Sequence, residues 1–571
     1  MPRSARSDFL RVGLLFGVIA VYLCLVGVVE AFKGRWIVSN VLGLGEAFLL
    51  ITVLAAGYVT ARRTRNGIAA VPAGAGAGAL VGVALAGLLL LGGWINLRAM
   101  FVNASPTLFS LLAFNQKPGT GSLLLVLAGA AAGAVGAVLY LIPSQARRVL
   151  LSGLFAVFIL SVFQELLQLL LQSPGPPTAV RDLLFGPIGP SPGGAALVCG
   201  ATWAVAGGWN LRREVVRQKI AGLTPSRRSW LRIITILLSI MGLLMVPIAG
   251  GPFVAQVMVL VGLYTLMGLG LNLEVGFAGL LDLGFVAFFA IGAYTVALLT
   301  SRGDYGTLHL SFWQAVPVAM AVSMISGVIF GVPVLRVRGD YLAIATLGLG
   351  EIVRLLVLSD ALRPWLGGSF GILSIPRPVI AGFELSGPRQ LYYVTLAASA
   401  LVAYVAWRLQ YSRLGRAWVA IREDEDVAQA LGINLVSTKL LAYGLGAVFA
   451  GVAGAIFAVM VGSVFPHRFQ LLISINVLVL IILGGMGSQW GVVVGALALV
   501  GLPELLREFG EFRFLVYGAV LVAMMLLRPE GLVPSAVRQR ELHEETEEPS
   551  GPQPISAPAG TIAGAEGQMG E

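Results

Sequence analysis

The chain has 571 residues, 57% of them hydrophobic and only 12% charged, with a net charge of +10. An average soluble domain carries roughly 25% charged residues, so this composition excludes an ordinary water-soluble fold. The basic excess reads as the Lys and Arg of cytoplasmic loops, and not as a nucleic-acid surface. Apolar runs of bilayer-crossing length recur along almost the whole chain. The ten-residue alternation of a transmembrane β-barrel does not. The fold class this predicts is all-α, a polytopic transmembrane helical bundle.

Arg3, Arg6 and Arg11 precede the first apolar run, 12–31. A cleaved signal peptide has a shorter apolar core, so a retained first helix is expected. Apolar segments at 41–60, 71–97, 122–142, 149–171 and 194–210 bring the count to about six. Cys24 and Cys199 both lie inside apolar runs and offer neither a disulfide framework nor metal-ligand spacing. The basic stretch "RREVVRQKIAGLTPSRRSWLR" (212–232) then reads as a cytoplasmic linker. Residues 1–225 are therefore expected to form a transmembrane extension, and 226–536 a core of about ten helices.

The core segments lie near 231–249, 253–273, 276–300, 311–335, 341–358, 390–410, 439–461, 471–493, 494–507 and 513–533. The tail 537–571 is rich in Glu, Pro, Gly and Ala, which predicts disorder. With the N-terminus inside, the inner stretches of the extension hold about fifteen Lys and Arg and the outer ones about five, as the positive-inside rule requires. Both termini are then cytoplasmic. The Pro- and Gly-rich loop 359–389 lies outside, and the charged island 415–435 lies inside.

That island, "GRAWVAIREDEDVAQALGINL", packs six charged side chains between two long apolar segments. Asp424 is placed to cap a short helix, with Glu425 and Asp426 at the positive end of its dipole. Gly432 suits the position that ends it. A helix of about two turns is not stable alone, so docking on something is expected. Three readings compete: a solvated loop, a carboxylate cluster that chelates metal, and a docking helix for a cytoplasmic partner. The metal reading needs a second carboxylate cluster facing the same cavity, and the sequence has none.

Asp426, Ala428 and Gly432 match the acid-x-Ala-x-x-x-Gly pattern of the coupling loop in bacterial ABC importers, with Asp for the usual Glu and Val427 for the first Ala. Other segments fit the same family in the same order. They are "GLNLEVGFAGLLDLGFVAFFAIGAYTVALL" (270–299), "RGDYLAIATLGLGEIVRLL" (338–356), "GGSFGILSIPRP" (367–378), "LGGMGSQWGVVVGA" (483–496) and "FLVYGAVLVAMMLLRPEGL" (514–532). Over roughly 240–535 the chain resembles the LivM-type membrane permease subunit of branched-chain amino acid ABC importers.

The resemblance implies several partners in a bacterial plasma membrane: a second homologous permease, two cytoplasmic ATPases and an extracytoplasmic solute-binding protein. ATP and Mg are then expected on the ATPases, with no cofactor in this chain, which lacks a GxxxxGK[ST] phosphate loop. The island, through Arg422, Asp424, Glu425, Asp426, Ala428 and Gly432, is implied to couple ATPase closure to the membrane helices. A urea or short-amide importer shares these motifs. An ion-coupled secondary transporter, which works without ATPases, is the alternative from another class.

For the solute path the pointer is glycine. "EVGFAGLLDLG" and "LGGMGSQWG" each interrupt an apolar segment. Such clusters invite either a broken helix or tight helix packing. Paired broken helices frame the path in many transporters. This marks Asn272, Gly276, Gly279, Asp282, Gly484, Gly485, Gly487 and Ser488 as path candidates. Glu351 and Arg354 are spaced for a local ion pair on one helix face. The histidines His309, His467 and His543 join no catalytic or metal constellation in the sequence, so no catalytic or metal site is expected.

Overall fold

The computed structural model describes all residues except 1–2, 40, 65–68, 172–177, 187–188, 222–224, 338, 508–509, 511, 529 and 535–571. The expected tail at 537–571, with His543, lies outside the described residues. The fold is a polytopic bundle of α-helices. Among the described residues, 11 helices are long and apolar enough to cross a membrane. Helix dominates for a physical reason: in lipid each backbone N–H and C=O must find its partner within the segment. The two short hairpins, Trp36–Val38 with Leu42–Gly43 and Val379–Ile380 with Phe383–Glu384, fall in connections between helices.

Two compact units divide the chain, Met1–Gly251 and Pro252–Glu571. The first contains α1 (Arg3–Val26), α2 (Leu44–Thr64), α3 (Ala70–Trp94), α4 (Pro118–Leu141), α5 (Ser144–Val162), α6 (Pro192–Ala221) and α7 (Pro225–Ala249). Its α3 and α4 meet along small residues: a side chain added at Gly78 would land on the Gly129 carbonyl. With no hydrophobic drive between helices in lipid, this close approach is what van der Waals packing requires. Glu30 accepts hydroxyl hydrogen bonds from Ser105 at 2.6 Å and Thr107 at 2.5 Å, which ties the connection after α3 to the end of α1.

The second unit contains α8 (Gly251–Leu271), α9 (Val286–Thr300), α10 (Phe312–Val334), α11 (Asp340–Leu358) and α12 (Pro388–Gln410). Two short polar helices follow, α13 (Arg413–Glu423) and α14 (Glu425–Ala430). Then come α15 (Leu435–Val461), α16 (Leu471–Gly484), α17 (Gln489–Ala496) and α18 (Phe512–Leu527). Helix α15 is central, packed on α9 and α10, and Tyr443 sets its ring edge-on to Phe288 at 5.3 Å. The connection after α11 is pinned to the end of α15 by a two-way backbone bridge between Ile372 and Val464, each bond 2.9 Å. It lies at the opposite end of α12 from α13 and α14.

Two expected segments are corrected here. The apolar run 276–300 leaves helix after Phe277 and resumes it only at Val286, and the run 471–493 is two helices that stop at Gly484 and restart at Gln489. In both places the glycines interrupt the helix.

Candidate functional site

The first interruption begins where α8 widens into a π turn over Asn272–Phe277. The chain then runs non-helically from Ala278 to Phe285, with Gly279 at φ +70°. Unwound backbone deep in a membrane protein needs other partners for its N–H groups, and side chains supply them. Gly284 N–H donates to Asp282 Oδ1 at 2.6 Å, and Leu283 N–H to Thr346 Oγ1 at 2.9 Å. Val286 N–H donates to Ser474 Oγ at 2.9 Å, which helps α9 restart. Asn272, Glu274 and Asp282 are all buried.

The second interruption is the turn between α16 and α17. Gly485 at φ +116° and Gly487 at φ +74° occupy backbone that side-chain-bearing residues rarely adopt. Ser488 caps α17, its hydroxyl accepting Gly491 N–H at 3.1 Å. Leu532 and Val533 donate their N–H groups to the carbonyls of Leu483 and Gly484 at 2.9 Å, so the end of α16 is satisfied by the segment beyond α18.

These two breaks meet. Gly487 N–H donates to Asn272 Oδ1 at 2.9 Å, a buried bond across 215 positions of chain. Gly276 must be small for this junction to close. A β-carbon there would strike Asn272 Oδ1 and lie 2.8 Å from Gly487 N.

The island reaches the same place. Asp424 Oδ1 accepts the N–H groups of Asp426 at 2.9 Å and Val427 at 3.0 Å, capping α14. At its other end Gly432 sits at φ +87°. Gly432 N–H donates to Gln429 O at 3.0 Å and Ile433 N–H to Ala428 O at 3.1 Å, the Schellman closure. Ala428 is buried, whereas Val427 and Leu431 stand exposed. Trp418 Nε1 donates to Thr438 O at 2.8 Å, and Lys439 Nζ pairs with Glu425 Oε1 at 2.5 Å. Both contacts tie the island to the start of α15. Arg422 Nη1 donates to the carbonyl of Gly276 at 2.8 Å. Its side chain also lies against exposed Gly279, where an added β-carbon would stand 2.9 Å from Arg422 Cγ.

Of the sequence-marked residues, Asn272, Gly276, Gly279, Gly487 and Arg422 are thus in one cluster. Asp282 is buried beside it, Gly484 and Gly485 pack on the segment beyond α18, and Ser488 serves as a helix cap. Glu351 and Arg354 form the expected pair on α11. The sequence-marked candidates did not include Glu274, Tyr443 or Thr346. A tyrosine amid the small residues of "LLAYGLGA" was the signal available for Tyr443.

A family model described as "Branched-chain amino acid transport system / permease component" matches residues 253–527. The high-affinity branched-chain amino acid transport system permease protein LivM of Escherichia coli is 42% identical over 303 residues, covering 49% of this chain and 70% of its own. The chain belongs to the branched-chain amino acid transport permease family. LivM of Methanocaldococcus jannaschii is 24% identical over 327 residues, covering 49% of this chain and 93% of its own. The LivH permease of Escherichia coli is 32% identical over 141 residues, covering 24% and 44%. No solved structure matches significantly. This permease is therefore a multi-pass membrane protein and a transport component. The family match lies within the unit that holds both breaks and the island.

Proposed function

We propose that this permease is one of two related membrane subunits of an ATP-binding-cassette importer that carries leucine, isoleucine and valine across a bacterial plasma membrane. The names of its LivM and LivH relatives support the solute class and the paired permease. Two cytoplasmic ATPases would supply energy, with ATP and Mg bound on those chains. An extracytoplasmic binding protein would deliver the solute and set most of the selectivity.

The observation that carries this reading is the Arg422 bond to Gly276. Helix α14 has too few turns to be stable alone, and it is held by Asp424, Gly432 and the Lys439–Glu425 pair while Val427 and Leu431 face outward. A partner that seats on those apolar residues moves α13, α14 and the start of α15 together. Arg422 then carries the displacement to the Gly276 carbonyl, at the edge of the Asn272–Gly487 junction. In this mechanism a pull on Gly276 parts the two breaks. Their free backbone groups are then available to a polar solute, with Asn272, Gly276, Gly279, Asp282, Gly484, Gly485, Gly487 and Ser488 along the path.

The deciding experiment is affinity purification from native membranes followed by reconstitution. Co-recovery of two ATPases and a second permease, with leucine uptake that depends on ATP and on the binding protein, is the expected result. Uptake of urea or short amides in place of leucine would change the solute. Uptake by the isolated chain driven by an ion gradient would overturn the class.

A further inference from the structure

Glu274 lies in the π turn that opens the first break, with no solvent exposure. Its carboxylate fills the space where Gly446 of α15 has no side chain. The neighbouring carboxyl, Asp282, is also buried, with Glu274, Thr346 and Tyr443 close beside it. As ionised groups the two acids can only accept. Both oxygens of Glu274, Oδ2 of Asp282 and the hydroxyl of Tyr443 have no hydrogen-bond partner.

No charge on the surrounding elements resolves this. On α15, Lys439 is committed to Glu425. On α13, Arg422 donates to the Gly276 carbonyl. On α11, Arg354 pairs with Glu351. Asn272 on the π turn accepts from Gly487. Two adjacent carboxylates in a medium of low dielectric cannot both stay ionised without a counter-charge. A single proton shared between two neighbouring carboxyls removes one of the two charges without a counter-ion. Among the described residues no group of three or more acidic, His or Cys side chains is arranged for a metal.

We propose that Glu274 and Asp282 form a proton-binding site, holding one proton between them as a carboxylic acid–carboxylate hydrogen bond, with the Tyr443 hydroxyl as a second donor to the pair. Bound, the proton joins the π turn to the unwound segment and lets both lie on α15. Released to water, it leaves two carboxylates that repel each other at the break. The site thus makes opening of the first break proton-linked. This inference does not depend on which solute the permease carries.

The test is infrared difference spectroscopy on the purified complex. Wild type should show a protonated-carboxyl band that shifts on transfer to heavy water, and Glu274→Gln should lose it while the subunit accumulates in the membrane as wild type does. The amide still donates to Asp282, so the variant mimics the protonated pair. Tyr443→Phe should keep the band and shift its frequency, and it decides the matter should Glu274→Gln fail to accumulate. A wild-type band that survives in Glu274→Gln, or that is unmoved in Tyr443→Phe, would overturn the proposal. So would absence of the band together with a melting temperature raised by sodium chloride and not by choline chloride, which would mark a cation site. The readout uses neither solute nor ATP, so its failure is distinct from failure of the transport reading.

Discussion

The amide oxygen of Asn272 accepts the backbone N–H of Gly487, so the two helix breaks of the core share one buried hydrogen bond. Leaving a buried donor unsatisfied costs about 1–3 kcal/mol. Asn272→Leu should therefore lower the melting temperature of the purified complex and loosen the junction. ATP hydrolysis that no longer requires the binding protein is the expected functional sign. A variant with unchanged melting and unchanged stimulation would show that the junction carries no load.

Arg422→Ala should cut solute uptake severely while the subunit stays at normal abundance. The substitution frees the Gly276 carbonyl and empties the space beside Gly279. Arg422→Lys should recover only part of the uptake, because an ammonium lacks the planar fork of a guanidinium. Uptake assays in membrane vesicles, normalised to immunoblots, measure both. Equal loss of protein and uptake would assign Arg422 to folding.

Gly432→Val should uncouple transport and spare insertion. Gly432 sits at φ +87°, and its Cβ position is open space, so the cost is backbone strain and not a clash. For ordinary residues left-handed backbone costs roughly 1–2 kcal/mol. That is small beside a bundle of many helices and large for the six residues of α14. Solute-stimulated ATPase activity of the reconstituted complex should fall, with membrane abundance unchanged.

Lys439 is a buried cation, its side chain 7% exposed, and Glu425 shields it from the island side. Removing one member of a buried pair costs about 3–5 kcal/mol, whereas replacing both with apolar residues is often near neutral. Glu425→Ala alone should reduce subunit abundance. The double variant Glu425→Leu, Lys439→Met should restore much of it, as pulse-chase measurements in membranes would register.

Topology can be read with a membrane-impermeant thiol reagent after Cys24 and Cys199 are replaced. A cysteine at exposed Ser369, in the connection after α11, should label in intact cells. One at exposed Ser437, at the start of α15, should label only after lysis. The reverse pattern would invert the proposed orientation and place the island away from any cytoplasmic ATPase.

Sequence alone determined what depends on near neighbours along the chain. Run length sets which segments can span lipid. The Asp424 cap and the Gly432 stop are local, because each satisfies backbone groups two to five positions away. Glycine clusters pointed to both places, as a broken helix or as tight packing, although the expected segments 276–300 and 471–493 ran straight through them. Tertiary structure alone decided which break touches which. Asn272 finds Gly487 across 215 positions, and Arg422 finds Gly276 across 146. It also made Ser488 the cap of α17, and set Glu274 and Tyr443 around Asp282. The physical reason is that helices apolar on every side carry no amphipathic stripe to declare their buried face. In lipid that choice falls to small-residue contacts and a few polar bonds, which exist only once the helices are packed.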